Sequence, residues 1–220
     1  MTFSERITEL SGKNPEHEHL ILLAALSVLW LKPQPPEARL LLARYRDRNF
    51  PLDALRETAL QLFLIAGFQV SLEAAFQIHE VFGRGLEEHD TELADMDAQK
   101  WLARGYTLQS HVYRTNVEKL RANLSAISPE LEKWTVLVGY GLVLSRDGIP
   151  VHFRELIEVA VLAVQGFTRQ LHSHLRGALN LNASPLEVEL ALLIAEAYAG
   201  EEAVRPAWRM WHLILSSNMP

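Results

Sequence analysis

Residues 154–180 read RELIEVAVLAVQGFTRQLHSHLRGALN, and this stretch decides the fold class. Its first half is apolar at nearly every position: Leu156, Ile157, Val159, Ala160, Val161, Leu162, Ala163 and Val164. A helix with that composition has no face for water and must be buried all round. Pro150 just before it suits a helix's first turn, and Gly166 suits its end. A second helix follows, with Leu171, Leu175, Ala178 and Leu179 as its apolar stripe. The two read as a helical hairpin.

Two carboxylates interrupt the buried helix. Glu155 and Glu158 stand three residues apart and so share a face. A buried carboxylate is costly unless it is paired. The expectation is that Glu155 sits in the first turn, where the helix dipole favours it, and that Glu158 lies deeper. On the second helix His174 borders the apolar stripe, and Gln170 precedes it by four residues on the same side. His172 points more outward. Closing the hairpin would bring Glu155 or Glu158 to His174, and a carboxylate beside an imidazole is an acid/base pair suited to neutral pH. The same pattern also fits a hydrogen-bonded core histidine without chemistry.

Outward from this hairpin, the helix period persists. Helices are predicted at 3–11, 16–31, 36–48, 52–66, 69–83, 95–103, 108–125, 129–145, 151–165, 168–181, 185–199 and 201–216. No run alternates in the manner of a strand. The fold class is therefore all-α. Residues 83–97 hold Glu87, Glu88, Asp90, Glu92, Asp95 and Asp97 with few apolar side chains, and read as an exposed acidic connector. A weak internal repeat is visible as well. Phe50-Pro-Leu-Asp53 matches Ser184-Pro-Leu-Glu187 at an offset of 134, and each opens an apolar helix ending in Ala-Gly, at Ala66-Gly67 and Ala199-Gly200. The early copy has Leu40 to Leu42 where the later one has its histidine. The resulting division is 1–85 as a degenerate N-terminal helical repeat, 86–103 as the connector, and 104–220 as the better preserved domain.

Composition closes several routes. There is no cysteine, which excludes disulfides, thiolate metal sites and a thiol nucleophile. The formal net charge is -6, which argues against a nucleic-acid partner. The longest strongly apolar run, Leu20 to Leu31, has twelve residues, too few to cross a bilayer. The opening MTFSERITEL lacks the pattern of a signal peptide. The expected setting is cytoplasmic, with no membrane partner. His172-x-His174 and His17-x-His19 put their rings on different helix faces, so no metal site is expected. No nucleotide-binding glycine motif occurs, and no cofactor is expected.

Residues from Arg104-Gly105 to Trp211 resemble the carboxymuconolactone decarboxylase-like family of the alkylhydroperoxidase D-like superfamily. The resemblance rests on Ser128-Pro-Glu-Leu131, Tyr140-Gly141, Leu144-Ser-Arg-Asp-Gly-Ile149, Arg154-Glu-Leu-Ile157, Gln170-Leu-His-Ser-His-Leu-Arg-Gly-Ala-Leu-Asn180, and Ala183-Ser-Pro-Leu-Glu-Val-Glu189. It implies an all-α bundle of two tandem repeats assembled into symmetric oligomers, here a dimer or trimer. In the superfamily's redox members a glutamate precedes a Cys-x-x-Cys whose histidine follows four residues later. Glu155 and His174 take those positions here, while Phe167 and Gln170 stand where the cysteines would be. Thiol-dependent peroxide reduction is thereby excluded.

The decarboxylases lack the cysteines, keep the histidine and convert a carboxymuconolactone to an enol-lactone with loss of carbon dioxide. The resemblance implies His174 as acid/base, with Glu155 and Glu158 setting its protonation and Arg154, Gln170, Arg176 and Phe167 as substrate-binding candidates. One departure is Tyr140-Gly-Leu-Val-Leu144, where the decarboxylases often carry Trp-Gly-Glu-x-Trp. The alternative is an inactive relative serving as an oligomeric binding or scaffold protein.

Overall fold

The computed structural model describes residues 1–32, 35–83 and 96–218. Most of the acidic connector, including Glu87, Glu88, Asp90, Glu92 and Asp95, lies outside the described residues. Among the described residues every regular element is helical. No described helix is long and apolar enough to cross a membrane.

The chain forms two compact units, Met1–Gly83 with Gly148–Pro220, and Arg84–Asp147. The first unit holds α1 (Phe3–Lys13), a 3-10 turn (Pro15–His17), α2 (Glu18–Leu29), α3 (Pro35–Asp47), α4 (Leu52–Ile65) and α5 (Phe68–Phe82). After the other unit's elements it resumes with α9 (Val151–Gln165), α10 (Thr168–Asn180), α11 (Pro185–Ala199) and α12 (Glu201–Asn218). The second unit holds α6 (Ala98–Tyr113), a 3-10 turn (Arg114–Asn116), α7 (Val117–Ile127), α8 (Pro129–Trp134) and a π-helical segment (Thr135–Leu144).

In the first unit α2 and α9 form the middle. Leu20 through Leu29 are buried without interruption on α2, and Arg154 through Ala163 on α9. The two helices pack on one another, with α10, α11 and α4 also against α9. This is the outcome that apolar residues on every side demand. The breaks are chemical. Ser184 and Glu187 form a capping box at the start of α11, and Thr2 with Glu5 does the same for α1. Gly166 takes a left-handed conformation, φ 74°, and lets α9 turn sharply into α10.

The helices α2, α3, α4 and α5 start at residues 18, 35, 52 and 68, and α9, α10, α11 and α12 at residues 151, 168, 185 and 201. Each start is 133 residues from its counterpart, one fewer than the Pro-Leu match gives, because Pro51 caps its helix while Pro185 is the first residue of its own. Gly67, which caps the start of α5, and Gly200, which caps the end of α11 just before α12, are also 133 apart, with φ of 94° and 90°.

One helix break falls elsewhere than expected. The sequence places an interruption at residues 104–107, around Gly105. Instead α6 runs through Gly105, and the chain turns at Arg114, whose φ is 49°. Gly105 is a contact glycine: a Cβ there would overlap the backbone carbonyl of Val136, and one on Gly141 would overlap that of Trp101. The two glycines let α6 and the π-helical segment approach backbone to backbone.

Candidate functional site

Arg154, Glu155 and Glu158 lie on α9 and are 1–2% exposed. Glu155 is not in the first helical turn, which carries no acidic residue. Its expected help from the helix dipole, which fades beyond that turn, is therefore replaced by a side-chain partner. That partner is His174 of α10. Nδ1 of His174 lies 2.9 Å from Glu155 Oε2 and 2.8 Å from Glu158 Oε2. The tight α9–α10 turn at Gly166 makes this possible, since it lays α10 along the face of α9 that bears both carboxylates.

The rest of the cluster comes from α4. Glu57 accepts from Arg154 Nη2 at 2.9 Å. Gln61 Nε2 donates to the Arg154 carbonyl at 2.8 Å and to Glu158 Oε1 at 3.2 Å. Both residues are buried, Gln61 completely. Neither stood out in the sequence, because α4 reads as an ordinary amphipathic helix. Their spacing of four residues, which aims both at one neighbour, is the signal that was there to find. Gly148, φ 99°, closes the site from the chain entering α9; a Cβ there would press on Glu57 Cγ at 2.8 Å.

The electrostatics follow from burial and pairing. Burial opposes charging the imidazole, but attraction and hydrogen bonds from Glu158 and Glu155 win and hold His174 well above its usual value. For Glu155 burial raises the carboxyl's affinity for a proton, His174 opposes this and Glu158 reinforces it, leaving Glu155 above the usual carboxylate range. The arrangement stores a proton between a carboxyl and an imidazole. Nε2 of His174 has no hydrogen bond among the described residues, and the side chain keeps 14% exposure. One edge of the ring is thus gripped by the two carboxylates, and the side chain as a whole is only partly buried.

The other sequence candidates sit differently. Gln170, Phe167 and Arg176 lie on the exposed side of the α9–α10 hairpin, Phe167 with half its surface in water. Arg154 points inward to Glu57. A cavity of about 740 Å³ elsewhere in this unit is lined by Arg6, Lys32, Gln165 and Tyr198 among others, and by none of the cluster residues.

The sequence profile of the carboxymuconolactone decarboxylase family matches residues 129–212. A 4-carboxymuconolactone decarboxylase from Acinetobacter baylyi (strain ATCC 33305 / BD413 / ADP1) is 30% identical over 95 residues, which are 43% of this chain and 71% of that protein. The matched segment contains the α9–α10 hairpin with Glu155, Glu158 and His174, and so this chain belongs to the carboxymuconolactone decarboxylase family.

Proposed function

We propose that the chain is a non-redox acid/base enzyme acting on a small carboxylated or lactone substrate, with His174 as the proton-transfer residue. The observation that carries this reading is the asymmetry of the imidazole, with two buried carboxylates on Nδ1 and no hydrogen bond on Nε2 among the described residues. Carboxylate support at Nδ1 keeps a proton on the ring and orients Nε2–H outward. In a decarboxylation the C–C bond to the leaving carboxylate breaks, its electron pair passes into the conjugated lactone, and a proton is then delivered to carbon. The Nε2–H of an imidazolium supplies that proton, and Glu155 with Glu158 stabilises the charge before transfer. Gln170, one helical turn before His174, is a proposed substrate contact, and the exposed Phe167 and Arg176 are the further candidates. Arg154, turned inward, holds α4 through Glu57 and so shapes the site from beneath.

The test is turnover of carboxymuconolactone and related unsaturated lactone acids, followed by ultraviolet absorbance and carbon dioxide release. His174→Ala should lower kcat/KM by roughly 10²–10⁴, the usual span for a general acid/base. Unchanged turnover in a folded His174→Ala protein would sink the assignment.

The 133-residue spacing supports reading the N-terminal half as a diverged copy of the C-terminal half, giving one site per chain. A homo-oligomer is part of the proposal, supported by exposed Phe68, Leu72 and Phe76, which lie four residues apart on α5. Light scattering coupled to size exclusion should give a mass of two or three chains; a monomer at micromolar concentration would count against it.

A further inference from the structure

Gln61 has no role in the chemistry so far, yet the fold supplies a built-in comparison for it. With the 133-residue offset, Gln61 corresponds to Ile194, Glu155 to Leu22, Glu158 to Ala25 and His174 to Leu41, all at most 2% exposed. The second copy of this helix arrangement packs with apolar residues at every one of these places. Packing alone therefore does not call for a glutamine here.

Gln61 also departs from good packing in a specific way. Its Nε2 faces two acceptors, the Arg154 carbonyl and Glu158 Oε1. A flipped amide would set oxygen against oxygen, so the orientation is fixed. Its Oε1 is then buried without a hydrogen-bond partner, a cost an isoleucine would not carry. The pairing with Glu158 is retained in spite of that cost.

His174 Nδ1 carries one hydrogen, and two carboxylates compete for it. Two adjacent anions against one imidazolium leave an excess charge in a buried site, and one proton on a carboxyl relieves it. Something must decide which carboxyl takes that proton. A hydrogen bond donated to a carboxylate favours its ionised form. Both carboxylates lie on His174 Nδ1, and Glu158 in addition receives a bond from Gln61.

We propose that Gln61 is a positioning residue that divides the labour of the two carboxylates, fixing Glu158 as the ionised partner of His174 and leaving Glu155 as the one that takes up and returns the proton. The inference rests on the acid/base reading of the same site. The surroundings fit it. On α2, Glu18 is held by Arg44 and Arg48, and on α11, Glu189 and Glu196 accept from Trp211 and Trp208. On α4 and α9, Glu57 faces Arg154. On α10 and α12, Arg169, Arg176, Glu201, Glu202 and Arg209 are exposed, and the half-buried Arg205 pairs with Glu202. No second donor among these is placed on Glu155.

The test is an NMR titration of the His174 ring in the full chain, which needs no substrate and so reads the proton's position whether or not the protein turns anything over. Glu158→Gln and Glu155→Gln are isosteric. Glu158→Gln should lower the His174 midpoint at least twice as far as Glu155→Gln does. In a Gln61→Leu background that difference should shrink by half or more. Equal falls in the two single variants, or a larger fall in Glu155→Gln, would overturn the assignment of the carboxylates. An undiminished difference in the Gln61→Leu background would overturn the role of Gln61. Failure of the His174→Ala turnover test with these titrations as expected would instead remove the enzyme reading and keep the proton assignment.

Discussion

His174 holds both buried carboxylates of the cluster on one ring nitrogen. The carboxylate–imidazole pairing was legible from the hairpin, since i, i+3 glutamates on an all-apolar helix need a partner and His174 was in reach. Which glutamate would meet it was not legible, because the answer depends on side-chain rotamers and on α4. The pairing has a consequence for stability. Burial is opposed and outweighed by Glu158 and Glu155, so the folded protein binds a proton at His174 more tightly than the unfolded chain does. That stabilisation is fully present below about 6.5, the ordinary imidazole value, and is lost as pH rises through the higher folded value. Glu155, raised chiefly by burial, acts in the same direction from the ordinary carboxyl range upward. Urea midpoints should therefore fall as pH rises above neutrality, and His174→Gln should flatten that fall. A wild-type midpoint that climbs between pH 7 and 9 would contradict the pairing.

At the scale of elements, Gly105 shows how a correct composition signal can be misread. The helical pattern was divided at residues 104–107, and glycine disfavours a helix interior in general. The glycine is instead tolerated because α6 and the π-helical segment need bare backbone where they touch. Long-range contact of that kind leaves no mark on local periodicity. Gly105→Ala should destabilise α6 by roughly 1–3 kcal/mol, the usual cost of overpacking. Gly139→Ala, with nothing near its Cβ position, is the control and should cost less. Hydrogen exchange of α6 amides separates the two outcomes; similar protection in both variants would show that the close approach is not what holds Gly105 in place.

For the whole first unit, the helix starts repeated at an offset of 133 residues, and the proposed relation between the two sets, make the polar cluster interpretable. The same places in the other half are filled by Leu22, Ala25, Leu41 and Ile194. Replacing a buried ionic group by well-packed apolar residues is often neutral or stabilising by about 1–4 kcal/mol. The combined variant Gln61→Ile, Glu155→Leu, Glu158→Ala and His174→Leu should accordingly melt at or above the wild-type temperature while losing any turnover. Calorimetry decides this, and a fall of many degrees would mean that the cluster serves the fold rather than the chemistry.

By itself, the sequence determined that this protein is all-α, that α9 is buried on every side, that thiol chemistry is closed to it, and that Glu155 or Glu158 is within reach of His174. These follow from short-range rules: helical periodicity, residue type and the cost of burying charge. Only the tertiary structure decided that both carboxylates share one nitrogen, that Arg154 turns inward, and that Glu57 and Gln61 complete the cluster. Those residues are 97 positions or so from their partners along the chain. Which buried polar group finds which is settled by how α4 packs on α9, and local sequence carries no record of that contact.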